Sequence, residues 1–324
     1  FPGCSLETMA ESYNLSAVET ARALGVELKE LEDWNCCGAT AYFHIDELLA
    51  HALCARNLAM AEKENLDLVA PCSGCYKNLY FTNVHLKKDS ELAEHINFAL
   101  QEDNLHFSGT IGVRHLIEVF VKDVGVEEIK KRGCEPLKGL RVAPYYGCQL
   151  LRPKKDHEEV ERPQLFEDLL CALGAVPVSY PYKLRCCGGS LIVTNRKAAL
   201  AMVRVLLQSA LHERADVIAT ICPLCQINLE CYQKQVNKMF GEQFSVPVLY
   251  FTQLMGLAFG IPAKRLGIGK ELVSATQTIQ PKPHPQEDGY FDLARELFDD
   301  ESLLEPDPPE QPTQEEKIMT FDEV

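Results

Sequence analysis

The cysteines of this chain follow one spacing rule that is used twice. Cys4 is followed after 31 residues by Cys36-Cys37-Gly38, and after a further 33 by Cys72-x-x-Cys75. Cys148 is followed after 37 residues by Cys186-Cys187-Gly188, and again after 33 by Cys222-x-x-Cys225. Ten of the fourteen cysteines obey the rule, and the repeat extends beyond them. Asn78 and Asn228 each stand three places after the CxxC, and Gly3 and Gly147 precede the first cysteine of each set. Two adjacent cysteines cannot easily close a disulfide with each other. Their thiols can both face one inorganic centre if the backbone turns sharply, as Gly38 and Gly188 allow. A period of about 150 residues is too long for a solenoid and suits tandem domains.

The segments between the cysteines explain the spacing. Short apolar runs over 26–31, 67–70, 140–146, 175–180 and 216–221 read as strands, and helix-period stretches such as 45–64 and 191–213 follow. That alternation predicts an α/β fold of two duplicated domains with mostly parallel sheets. The expected boundaries are 1–135, 136–270, and an irregular acidic tail over 271–324. In parallel sheets the loops at the carboxyl ends of the strands meet at one edge, where ligands bind. The cysteines fall in those loops, so each half gathers five sulfurs. Pro71-Cys72 and Cys222-Pro223 suit strand ends that lead into helices, where the positive end of the dipole favours thiolate over thiol.

Charge separates the tail from the body. The whole chain carries −15, of which residues 281–324 hold −11, with 14 Asp and Glu against 3 Lys and Arg. This is not the basic footprint of a nucleic-acid binder. The tail is rich in Pro, Glu and Gln and is expected to be extended or to dock on a partner, with helical spacing only over 290–298. The longest apolar stretch, 254–261, is far short of a membrane span. No signal peptide is visible, which gives a cytoplasmic expectation. Fourteen cysteines in such a setting point to metal or redox chemistry rather than disulfides.

Five sulfurs in each half narrow the chemistry. Structural zinc takes four cysteines in a closed tetrahedron, and a cubane iron–sulfur cluster also takes four. A cluster opened beyond the cube can use five, with one thiolate bridging two irons. Zinc in one half and a cluster in the other stays open on this ground.

The tandem pattern resembles the B subunit of heterodisulfide reductase over roughly residues 1–270. The segments 147-GCQLLRP-153, 113-VRHLIEVF-120 and 247-PVLYFTQLMGLAFG-260 support that family over related iron–sulfur proteins. The resemblance implies two noncubane [4Fe-4S] clusters. Cys4, Cys36, Cys37, Cys72 and Cys75 would hold the first, and Cys148, Cys186, Cys187, Cys222 and Cys225 the second. It implies a disulfide reductase that works within a complex, cleaving a disulfide substrate between the clusters with Cys37 and Cys187 at the centre of the chemistry. Electrons would come from an iron–sulfur subunit like the C polypeptide of those reductases, and from a flavin subunit like their A polypeptide. The chain itself has no GxGxxG fingerprint. The alternative is a non-catalytic electron-transfer subunit linking a dehydrogenase to a quinone module. Arg152, Lys154, Lys155, Arg185 and Arg196 are candidate anion-binding cations, and His44 and His115 candidate proton donors. Cys54, Cys134, Cys171 and Cys231 are not expected to be ligands, and Cys54 and Cys171 should pack as small hydrophobes.

Overall fold

The structure is a computed structural model in which residues 1–39, 41–132, 137–153 and 160–279 are described. Lys154, Lys155, Cys134 and the tail expectations, including the helical spacing of 290–298, lie outside them. Residues Phe1–Pro283 form one compact unit.

Two parallel sheets carry the fold. In the first, β1 (Leu68–Ala70) pairs with β2 (Val113–His115) in the register Leu68↔Val113 to Ala70↔His115. In the second, β3 (Arg141–Tyr145), β4 (Val176–Pro177), β5 (Val217–Thr220) and β6 (Val248–Tyr250) lie in the order β4-β3-β5-β6. Every pair is parallel, as the alternating sequence requires, because each return passes through helices. The inner strand β5 and the edge strand β6 are wholly buried, and the inner strand β3 buries four of its five residues.

The helix ends explain where the sequence reading overran. The stretch 45–64 is two helices, Tyr42–Ile45 and Glu47–Lys63, because Asp46 turns extended and its carboxylate accepts from Leu49 N at 2.9 Å. The stretch 191–213 becomes helical only at Arg196, where Asn195 caps Ala198 N at 3.1 Å. Of 175–180, only Val176–Pro177 is strand: Val176 N and Val178 N donate to Leu140 O and Val142 O at 2.8 Å each, and Pro177, on the edge of the sheet, needs no N–H between them. The expected strand over 26–31 does not form. Its counterpart β4 has β3 beside it, whereas no described strand lies beside 26–31, and a strand without a ladder leaves its backbone groups unpaired.

The two sequence halves share one core. Helix Glu11–Leu24 of the first packs on helix Phe251–Ala258 of the second, with Ser16 and Thr252 hydroxyls 2.6 Å apart in the buried contact. Tyr13 stacks on Tyr250 at 4.2 Å and 8°. Phe251 meets Tyr13, Phe120 and Phe166, so aromatic rings from both halves fill the junction.

Helix Glu47–Lys63 also buries His51, whose Nδ1 lies 3.0 Å from the Thr82 hydroxyl between the rings of Phe43 and His85. Burial first, and His85 second, lower its pKa against the opposing pull of Glu47. The folded protein therefore binds fewer protons here than the unfolded chain. Stability should fall as pH drops below the ordinary histidine value of about 6.5, and His51→Gln should flatten that part of the profile in denaturant titrations across about pH 5–7.

Candidate metal centres

Each cysteine set is assembled by the ends of strands and the starts of helices. Cys72 follows β1 and is the N-cap of helix Ser73–Leu86; Cys222 follows β5 and is the N-cap of helix Pro223–Cys231. Cys75 and Cys225 lie one turn inside those helices. Cys148 follows β3 by way of Gly147. The CCG loops complete the sets, and Gly38 and Gly188 take φ of 65° and 79°, the left-handed turn the adjacent cysteines need.

One pair of sulfurs meets in each set. Cys37 and Cys75 lie 3.0 Å apart, and Cys187 and Cys225 lie 3.7 Å apart. The thiols of each set also influence one another's ionisation. The two sets adjoin through their backbone: the Tyr13 hydroxyl meets Pro71 O and Ile221 O, and Ser73 Oγ lies 3.5 Å from Ile221 O. The five positions differ in cover: Cys37, Cys72, Cys75, Cys187, Cys222 and Cys225 are buried, whereas Cys4 and Cys36 are exposed.

These contacts polarise the thiols. Cys37 is held well below the ordinary thiol range by Cys36 and then Cys75, and Cys186 is brought down to about 2 by Cys148 and then Cys187. Cys222 is lowered by Cys225 and Cys72. Cys72, also at a helix start, is instead raised because Cys222 takes the negative charge between them. The helix dipole alone does not decide which sulfur is the thiolate; the neighbouring sulfur does.

The glycines and asparagines of the repeat have matching jobs. A Cβ on Gly3 would lie 3.2 Å from Cys75 Sγ, and one on Gly147 3.1 Å from Cys225 Sγ, so both glycines let the chain pass against the CxxC. Asn78 Nδ2 donates to Cys37 O at 3.0 Å, and Asn228 Nδ2 donates to Cys187 O at 2.5 Å. Each asparagine ties a CCG loop to the helix that carries the CxxC. Replacing Asn228 by alanine removes the side-chain donor of the buried Cys187 carbonyl and should cost about 1–3 kcal/mol in chemical denaturation, whereas Asn78→Ala should cost less because Cys37 O keeps the Cys54 thiol.

The remaining candidates separate. His115 is fully buried at the end of β2, its Nε2 3.3 Å from the Ser73 hydroxyl, next in sequence to Cys72. His44 is exposed on the short helix Tyr42–Ile45. Arg152 lines a cleft of about 1000 Å³ with Arg185, Cys148 and Cys186; Cys186 and burial raise the Cys148 thiol against the opposing pull of Arg152, and Cys148 and Cys187 lower Cys186 with Arg152 as a lesser aid. Arg196 instead bonds Gln235 and lies over the Tyr232 ring. Cys54 is buried, with its thiol 3.4 Å from Cys37 O. Cys171 corrects the packing expectation: Phe166, Leu169 and Leu170 take the inner face of its helix, which turns Cys171 outward and exposes it.

Two residues were missed. Lys77, two places after Cys75, is half-buried over Phe43 and Phe81 at 5.7 Å from each ring. Burial and then Arg152 lower its pKa, while Cys148, Cys54 and Cys37 raise it. The offset from the CxxC was a usable signal. Tyr13 was not signalled: its hydroxyl donates to Pro71 O at 3.0 Å and Ile221 O at 3.3 Å, joining the residues before Cys72 and Cys222. Nine places after Cys148 stands His157, so the repeat does not flag Tyr13.

Soft thiolate donors gathered in this number suit iron and sulfide. Among the described residues, no three His, Cys, Asp or Glu side chains converge on a single-ion site.

The cysteine-rich domain family with the CCG motif matches residues 1–80 and 142–230, one copy over each set. The B subunit of a ferredoxin/F(420)H(2)-dependent CoB-CoM heterodisulfide reductase from Methanosarcina acetivorans is 34% identical over 84% of this chain and 92% of its own. The chain belongs to the heterodisulfide reductase B-subunit family. Another relative is the 8-methylmenaquinol:fumarate reductase membrane anchor subunit of Wolinella succinogenes, 38% identical over 86% of this chain and 97% of its own. A hypothetical protein from Helicobacter pylori shares the fold, with a TM-score of 0.64 and 16% identity over 81% of this chain. The chain spans about half the length of that protein, 49%. Membership of the heterodisulfide reductase family gives the chain an iron–sulfur redox role within multisubunit reductases. No described helix is long and apolar enough to cross a membrane.

Proposed function

We propose that this chain is the catalytic iron–sulfur subunit of a heterodisulfide reductase-like complex, reducing a disulfide to two thiols between its two cysteine sets. The observation that supports the reading is the junction between the sets, where the Tyr13 hydroxyl meets both Pro71 O and Ile221 O, the residues before Cys72 and Cys222, and Ser73 Oγ lies 3.5 Å from Ile221 O. Each set would hold one noncubane [4Fe-4S] cluster, and each cluster, when bound, would exchange one electron. Cleaving R–S–S–R′ takes two electrons and two protons and releases R–SH and R′–SH. Two one-electron centres on either side of the bond match that stoichiometry.

The residues of the chain position and shield. The CCG loops, tied down by Asn78 and Asn228, present Cys37 and Cys187 at the inner face of each set. The burial of the CxxC sulfurs keeps water from that face. Lys77 and Arg152 supply positive charge beside the thiolates, which offsets the negative charge a reduced centre accumulates. Electrons would enter from a separate iron–sulfur partner that a flavin protein feeds.

The likeness to a menaquinol-linked fumarate reductase subunit favours a second reading, electron transfer between a dehydrogenase and a quinone module. The two readings part on one experiment. The anaerobically reduced protein is mixed with a panel of low-molecular-weight disulfides while the cluster absorbance is followed. Stoichiometric reoxidation with release of two thiols supports the reductase; inertness to every disulfide, with reoxidation by a quinone-bearing partner, supports the carrier.

A further inference from the structure

The residues that meet between the two cysteine sets come unequally from the two halves. Tyr13, on helix Glu11–Leu24, is fully buried. Its single O–H is shared between Pro71 O at 3.0 Å and Ile221 O at 3.3 Å, the carbonyls directly before Cys72 and Cys222. Those two cysteines are the N-caps from which the CxxC helices start. One hydroxyl therefore spans the two points where the sulfur-bearing segments leave their strands. It cannot swing away, because the Tyr13 ring is stacked on Tyr250 at 4.2 Å and the Ser16 hydroxyl, on the same helix, meets that of Thr252.

A second hydroxyl from the first half reaches the same carbonyl. Ser73 Oγ lies 3.5 Å from Ile221 O and 3.3 Å from His115 Nε2, and both side chains are buried. The Ile117 N–H donates to His115 Nδ1 at 3.3 Å, which makes Nδ1 an acceptor and leaves the ring proton on Nε2. Nε2–H donates to Ser73 Oγ, so the Ser73 proton is left for Ile221 O. The second half does not repeat this arrangement. Pro223 follows Cys222 as Ser73 follows Cys72, and it brings neither hydroxyl nor N–H. Tyr250 pairs with Thr220 as His115 pairs with Ala70, but its hydroxyl turns to Gln226 Oε1 at 3.3 Å.

We propose that Tyr13, backed by Ser73 and His115, is a clasp that sets the separation of the two centres. This rests on the two-centre reading above. If each centre gives one electron to the same S–S bond, both sulfurs must lie in reach of their centres at once. A displacement of about 1 Å can then cost up to about a hundredfold in rate. Removing the Tyr13 hydroxyl leaves Pro71 O buried without that donor, and a buried carbonyl regains a partner only if the junction shifts or admits water. Tyr13 is thus a positioning residue: it acts on the spacing of the sets and touches no substrate.

The test compares Tyr13→Phe with Tyr250→Phe in protein purified without oxygen. The first keeps the stacked ring and removes the clasp. The second removes a buried hydroxyl from the neighbouring ring and leaves the clasp in place. Iron and sulfide per chain, the spin–spin interaction between the two centres by electron paramagnetic resonance, and kcat and KM with the panel disulfide that the native protein reduces fastest are measured for each. Tyr13→Phe should keep its iron, show an altered spin–spin interaction, which depends steeply on separation, and lose about tenfold or more in kcat with KM little changed. Tyr250→Phe should keep the native interaction and kcat, although both variants unfold at lower urea. Ser73→Ala, which removes one of the two donors to Ile221 O, should show the Tyr13→Phe changes more weakly. A native spin–spin interaction in Tyr13→Phe, or an equal change in Tyr250→Phe, overturns the proposal. Loss of iron from both Tyr13→Phe and Ser73→Ala would make these hydroxyls part of assembly and overturn it too. If no disulfide reoxidises the native protein, the reductase reading falls, and the spin–spin comparison still decides the clasp.

Discussion

Cys187→Ala is expected to remove the second centre while leaving the fold, lowering iron and acid-labile sulfide per chain by about half. Disulfide-dependent reoxidation should fall by more than about a hundredfold, since loss of a ligand exceeds the loss of a supporting contact. The physical reason is local. Cys187 is buried, adjoins both Cys186 and Cys225, and its carbonyl is the anchor for Asn228. Alanine keeps that carbonyl and the backbone turn, so circular dichroism should barely change. Turnover at the native rate with one centre missing would refute the two-sided scheme and return the chain to electron transfer alone.

Gly188→Ala should be the more damaging of the two CCG glycine substitutions. Gly188 has φ of 79°, and an added Cβ would lie 3.0 Å from Ala199 Cα and 3.2 Å from Met202 Sδ. The left-handed conformation costs a non-glycine residue about 1–2 kcal/mol, and crowding against helix backbone adds about 1–3 kcal/mol. Gly38→Ala bears the same conformational cost at φ of 65°, and its Cβ would lie 3.0 Å from Tyr42 Cβ, but Tyr42 opens the four-residue helix Tyr42–Ile45, which buries no residue and can shift more readily than the packed helix that carries Ala199. Urea unfolding should therefore separate G188A from G38A by roughly 1–2 kcal/mol. Equal losses would mean that the turn conformation, not the packing behind it, dominates.

Much of the site was legible because cysteine chemistry leaves a spacing that survives the intervening sequence. The strand–loop–helix alternation around Cys72 and Cys222 placed both as N-caps after parallel strands, and the repeat singled out Asn78 and Asn228. What could not be read depends on neighbours far apart in the chain. The bridging role of Tyr13, which joins the residues before Cys72 and Cys222, arises only when the halves pack. The segment 26–31 has the apolar pattern of a strand, but strand identity belongs to the ladder, and no described strand lies beside it. Cys171 shows the complementary limit: an apolar neighbourhood in sequence does not fix which face of an amphipathic helix a residue occupies.

The most direct measurement is iron, acid-labile sulfide and zinc per chain in protein purified without oxygen. Two four-iron clusters in the two cysteine sets predict about eight irons with matching sulfide and negligible zinc. Zinc bound at about one per set with little sulfide would contradict the account and leave the paired sets as structural sites.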